Sequence, residues 1–339
     1  MLELIIAAIL LISLILYALM GGADFGGGMW DMLAFGPRAR RQRDAIDHAI
    51  GPIWEANHVW LILVIVLLFT GFPRAFAAMM TALNIPLTLM LVGIVFRGSA
   101  FAFRKYDSGQ DSVYRRWSKL FGISSFFTPF FQGIVLGALT TGRIRVGEQE
   151  LTTGFFAGWT TPFAVACGIF ALSLFAFLSA TYLTVDSKNQ PDLQEDFRRR
   201  ALWSGALLIP IAMFVFFTSK SEAPYMYAGL TKWWAPVLLA WTALFAIAAL
   251  GALWFRRFAF ARIAAIGQVT MILVGWCLAQ FPNLITPDMT VFNSAAPEAT
   301  LRLLVLALGL GAILLLPSLI YLFYIFKGKQ SFEQSKSVP

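Results

Sequence analysis

Apolar residues run for membrane-crossing lengths nine times along this chain, at roughly 3–26, 52–72, 76–97, 119–139, 159–184, 202–218, 234–255, 263–281 and 302–326. A bilayer core takes about 20 helical residues, so each run predicts one transmembrane helix. The polar intervals carry no low-complexity linker, internal repeat or soluble domain, and residues 1–339 read as a single integral membrane unit of all-α class. Pro86, Pro129, Pro162, Pro210 and Pro317 fall inside or at the edges of the runs, where neighbouring groups must satisfy the freed carbonyls. The opening stretch, MLELIIAAILL, lacks the basic leading region and the A-x-A site of a cleaved signal, so it is expected to remain as the first helix.

Composition agrees: the 339 residues are 59% hydrophobic and only 13% charged, outside the range of soluble domains. The net charge of +8 does not point to nucleic acid, because the basic residues sit in short clusters between apolar runs. Alternate connections and the tail hold twenty of the 26, leaving Arg74, Arg143, Arg145, Lys220, Lys232 and Arg302 for the other face. The positive-inside rule then puts the basic loops and the C-terminus in the cytoplasm and the N-terminus outside. Cys167 and Cys277 each lie within an apolar run, with no Cys or His spacing for a metal site or a disulfide framework, and read as core packing. The longest outer connection, FPNLITPDMTVFNSAAPEATLR (281–302), is ordered only if something packs on it.

Candidate chemistry concentrates in the first hundred residues. The stretch GGADFGGGMWD (21–31) closes the first run and sets Asp24 among glycines; a carboxylate at the helix centre costs at least ~2.5–3.5 kcal/mol, so it should face protein or water. Gly22 and Gly26 are spaced to let a second backbone approach. Glu55 opens the second run in GPIWEANHVWLI, three residues before His58 and so on one helix face with it. Arg97 ends the third run in FRGSAFAFR. The alternation of helix directions puts Asp24, Glu55 and Arg97 at one depth, near the cytoplasmic side. Burial and opposite charge act oppositely on a carboxylate, which leaves such a group able to exchange protons. The plainer reading is a polar patch that pins helices one to three together.

The only histidines are His48 and His58, too few for a multi-haem core within one polypeptide, so redox cofactors are expected on another chain. A reading from a different class is a proton- or cation-coupled secondary transporter, favoured by the charge cluster and by a first helix broken at its glycines. The odd number of spans and the lack of a repeat or of paired broken helices count against it.

The order GGADFGGGMWD, GPIWEANHVWLI, FRGSAFAFR and FPNLITPDMTVFNSAAPEATLR, with nine spans, resembles subunit II of the cytochrome bd-type quinol oxidases. The resemblance implies two four-helix bundles, helices one to four (about 3–139) and five to eight (about 159–281), plus a peripheral ninth helix (about 302–326). It implies a terminal oxidase in a prokaryotic membrane that oxidises membrane quinol and reduces dioxygen to water. Haems b and d would be carried by the partner, subunit I, with a small accessory subunit and membrane lipid as further neighbours. It also implies a cytoplasmic proton path through Asp24, Glu55 and Arg97, with Glu55 and His58 near the partner's haems and no metal or haem ligated here. The family elsewhere has Asp in the position of Glu55 and Gln in that of His58, so the acid is kept in kind but not in length, and His58 inherits no role.

Overall fold

The computed structural model describes residues 1–51, 54–106, 111–147, 154 and 156–325. In chain order the helices are α1 (Leu2–Met32), α2 (Ala39–Ile50), α3 (Trp54–Gly71), α4 (Pro73–Ala82), α5 (Asn84–Tyr106), α6 (Asp111–Ala138), α7 (Pro162–Asp186), α8 (Pro191–Glu222), α9 (Pro224–Leu230), α10 (Ala235–Trp254), α11 (Phe258–Gln280) and α12 (Glu298–Phe323). Among the described residues nine are long and apolar enough to cross a membrane, and α2, α4 and α9 are the short exceptions. Pro52 and Ile53, Lys327, Lys329, Lys336 and the C-terminus lie outside the described residues.

Two four-helix bundles lie side by side. In the first, α1 packs on α3 and α6, and α5 packs on α6; in the second, α7 packs on α8 and α11, and α10 on α8 and α11. The helix α12 rests outside them against α1 and α3. The seam between bundles is made by α1 and α6 against α7, with α1 also reaching α11. Lipid is as apolar as the side chains, so helices gain from contact only by approaching closely. Gly26 and Gly133 permit that approach. A Cβ on Gly26 would run into the Phe175 carbonyl oxygen and sit 2.6 Å from Ser179 Cβ, and one on Gly133 would sit 2.7 Å from Gly168 Cα.

The first helix is not broken at its glycines. It continues through GGADFGGG to Met32, so Asp24 stands eight residues inside its end rather than close to it. That removes one feature that favoured a transporter. The third crossing also differs from the expectation of 76–97. The chain bends at Leu83, and α4 and α5 are separate. Starting α5 at Asn84 puts Pro86 in its first turn, where the missing N–H costs no helical hydrogen bond. The helix then runs to Tyr106 and carries Arg97 and Arg104 within it, so these two are not loop charges. Pro162 and Pro191 likewise open α7 and α8, and the Thr161 hydroxyl accepts from the Ala164 amide at 3.1 Å to cap α7.

On the face opposite the basic loops, the long 281–297 connection is packed down. Its short hairpin of β1 (Asn283–Ile285) and β2 (Met289–Thr290) buries Ile285 and Met289 beside Phe72 and Leu139. The Thr286 amide donates to the Leu139 carbonyl and the Ala296 amide to that of Gly71, which ties the connection to the ends of α6 and α3. On the basic face, the ion pairs Arg38–Asp196 and Arg41–Asp192, both at 2.6 Å, fasten α2 onto α8.

Candidate functional site

Two layers of buried charge stand between α1 and α5, one helical heptad apart. Asp24 and Asp31 are seven residues apart on α1, and Arg97 and Arg104 are seven apart on α5, so each pair keeps to one helix face. The helices of the first and third crossings run in the same direction, and the layers therefore meet in order. Between them lies α6, whose buried Phe121 ring receives both cations: the guanidinium carbons of Arg97 and Arg104 stand 5.2 Å and 4.6 Å from its centroid. Desolvated cation–aromatic contacts of this kind contribute up to about 2 kcal/mol.

The layer nearer the basic face is an ionic network in which, among the described residues, only Asp31 Oδ1 is buried without a hydrogen-bond partner. Arg104 Nη1 donates to Asp31 Oδ2 at 3.2 Å, and Arg104 Nη2 pairs with Asp47 of α2. Arg104 and Asp31 are 4% and 1% exposed, so neither charge has water to fall back on. Neither was singled out from the sequence. The signal that could have found them is the matched seven-residue spacing, an acid pair on one helix and a base pair on another.

The deeper layer is more open in its chemistry. Asp24, 5% exposed, accepts a hydrogen bond from Asn57 Nδ2 at 2.7 Å. Arg97 is 1% exposed, and its guanidinium lies 4.6 Å over the ring of Phe25, the residue that follows Asp24 on α1. Among the described residues Arg97 Nε and Nη2 have no hydrogen-bond partner, nor do Asn57 Oδ1 and His58 Nδ1. Buried donors and acceptors left in that state call for ordered water. Tyr17, one heptad before Asp24, accepts at its hydroxyl from Gln132 Nε2 and extends the polar row toward the bundle centre.

Glu55 does not join this row. It lies in the first turn of α3 and is exposed on the outside of the chain, where the helix N-terminus favours its charge. His58, three residues on, turns inward instead and is half-buried among the rings of Tyr17, Phe25 and Trp54, at centroid distances of 6.1, 5.7 and 6.2 Å. His48 is exposed on α2. An enclosed imidazole and a surface one do not offer a pair of axial ligands for one haem. Of the residues expected to act together, the structure brings Asp24 and Arg97 into one field, adds Asn57, and leaves Glu55 at the outer surface of the same layer.

The profile of a family described as cytochrome bd terminal oxidase subunit II matches residues 2–326. A Bacillus subtilis chain assigned as a cytochrome bd menaquinol oxidase subunit II is 25% identical over 92% of this chain and 91% of its own length. Subunit 2 of the Escherichia coli cytochrome bd-I ubiquinol oxidase is 28% identical over 60% of this chain, a match that spans about half of that relative (52%). Among solved structures, a chain of the bd oxidase from Geobacillus thermodenitrificans shares the fold with a TM-score of 0.75 at 22% identity, covering 96% of this chain and 98% of that one.

Proposed function

We propose a function from one premise: this chain belongs to the cytochrome bd terminal oxidase subunit II family. It is a subunit of a quinol oxidase complex in a prokaryotic membrane. Beside subunit I, the complex oxidises membrane quinol and reduces dioxygen to water. Haems b and d supply oxygen binding and electron transfer, and the two histidines here, one enclosed and one exposed, support their being carried by the partner. This chain contributes the scaffold and part of the proton supply.

The observation that carries the proton role is Asp24, a buried carboxylate eight residues inside the end of a membrane helix, bonded to Asn57 and in the same layer as Arg97, a buried cation with two unpartnered nitrogens. A carboxylate in such a place is costly and is kept for function by default. Asp24 accepts a proton from the basic-loop side, which the charge bias makes cytoplasmic. Arg97 holds the returning carboxylate by its field. Glu55, on the outside of α3 at the level of Asn57, is placed to hand protons across the boundary to whatever covers that face, and subunit I is the occupant the family implies. A small accessory subunit and annular lipid are further neighbours of the same assembly. The transporter reading loses one of its two supports with α1 unbroken, and the family does not favour it.

Asp24→Asn and Glu55→Gln keep size and most hydrogen bonding but remove titration. Each should assemble with full haem absorbance and lose at least about tenfold in quinol-driven oxygen consumption per haem, ~1.4 kcal/mol or more in barrier. Native turnover in both would leave the cluster purely structural. A reporter fused after Pro339 should be active only in the cytoplasm; activity on the other face would reverse the proton path.

A further inference from the structure

Asp24 also borders a cavity that belongs to neither the Arg97 layer nor the Arg104 layer. It measures about 220 Å³ and opens where α1, α2, α3, α7 and α11 meet. Asp24 and Asn57 line it on one side, Ser179 and Tyr182 on the other, and Asp186 and Arg262 lie where α7 ends and α11 begins. At ~30 Å³ per molecule it has room for several waters. Asn57 gives its amide nitrogen to Asp24, while its Oδ1, fully buried, accepts from no described residue and calls for a donor from the cavity. Arg262 is held to the α7 wall: its Nη1 lies 3.6 Å from Asp186 Oδ1 and its guanidinium 4.5 Å over the Tyr182 ring. Ser179, Tyr182 and Asp186 follow one face of α7, and Ser179 stands level with Gly26 of α1. At 1.5 Å per residue, Asp186 is ~10 Å nearer the basic face than Gly26 and therefore ~13 Å nearer than Asp24.

We infer that this cavity is a hydrated vestibule through which protons reach Asp24, with the Asp186–Arg262 pair at its mouth. The inference rests on the proton-uptake reading above and adds the route and two residues to it. A proton passes along the waters by exchange, each hop forming one O–H bond and breaking another. The last hop neutralises the Asp24 carboxylate, which regains its charge when the proton moves on, so no oxidant or co-reactant is needed. Asp186 gathers protons at the rim of the basic face, and Arg262 keeps its carboxylate turned toward α11. Both are positioning residues, since neither touches quinol or oxygen.

The test uses the assembled oxidase in sealed membrane vesicles, with Cys167 and Cys277 replaced by Ala and Ser179→Cys introduced, a change of one atom. A small charged methanethiosulfonate reagent should label Ser179→Cys from the face that bears Arg38–Arg43 and Arg256–Arg257, and Ala49→Phe, which fills the cavity from α2, should slow labelling at least tenfold. Asp186→Asn should assemble with full haem absorbance and lose several-fold in oxygen consumption, and Asp186→Glu should restore it. Labelling from neither face, or only from the opposite face, overturns the vestibule; native turnover in Asp186→Asn overturns the assignment of its mouth. Failure of the underlying reading shows elsewhere, as native turnover in Asp24→Asn with labelling intact.

Discussion

Arg104 is a buried side chain held by ionic partners, one heptad from Arg97, for which we propose a part in proton transfer. Its guanidinium is spent on Asp31, Asp47 and the Phe121 ring, so removing it strands a carboxylate that has no water. Arg104→Ala should destabilise the assembled subunit by ~3–5 kcal/mol, the usual result of breaking one side of a buried pair. Thermal unfolding of the complex reads that loss, and an unchanged midpoint would show that Asp31 finds another partner. Asp24→Asn should lower the same midpoint by less, because Asn57 can still donate to the new amide oxygen and Arg97 keeps its contacts with the Phe25 and Phe121 rings. Asp24 and Arg97 were legible in the sequence as charges inside apolar runs. Asp31 and Arg104 were not, because hydropathy alone ends their runs before them. The outward turn of Glu55 was equally hidden. It and His58 share a helix face within the ~100° per residue of an α-helix, yet that face straddles the boundary between bundle and surroundings, and only the packing of α1 and α5 decides which side each one meets.

Among the elements, α1 carries the most demanding surface. Gly22 and Gly26 are spent on contact with α7, where Gly26 meets the Phe175 carbonyl and Ser179, while Gly27 faces Ile50 of α2 and Gly28 faces Ser125 of α6. Gly26→Ala forces two backbones apart and should cost about 1–3 kcal/mol by overpacking, seen as a lowered unfolding midpoint and reduced yield of the two-subunit complex. Gly309 on α12 has open space around it, and Gly309→Ala is the control that should change neither. The existence of each crossing was plain from length and hydropathy, whereas several ends were not. Helices α1, α5 and α8 continue well past their apolar runs because their polar ends are satisfied by protein: Arg104 by Asp31, Gln42 and Arg38 by Asp196. Pro86 carried the opposite information. Its place in a first turn marks the start of α5, a signal available in the sequence but outweighed there by the apolar residues before it.

At the scale of the whole molecule, the bundled helices use small residues for close contact, as at Gly26 and Gly133, whereas Gly309 and Gly311 of the outlying α12 meet nothing within 4 Å. The resemblance of the motifs supplied the arrangement of two bundles and an outlying helix; hydropathy alone supplied only the nine crossings. The packed 281–297 connection was foreseeable as a segment needing support, but its anchors at Gly71 and Leu139 depend on helix ends that no local pattern fixes. One contact in the seam bears on how the chain is made. Trp30 Nε1 donates to the Ala176 carbonyl at 2.8 Å, across 146 residues of sequence. At ~5–20 residues per second of synthesis, α1 waits roughly 7–30 s in the membrane before α7 exists to receive it. For that interval Asp24 and the open glycine face have lipid or an insertase for company, and the nascent subunit is most exposed to proteolysis then. A ribosome-stalled chain ending near residue 150 should crosslink from position 26 to insertase or lipid, and one long enough to expose α7 should crosslink to position 175 instead; the same insertase adducts at both lengths would mean that the seam closes only when subunit I arrives.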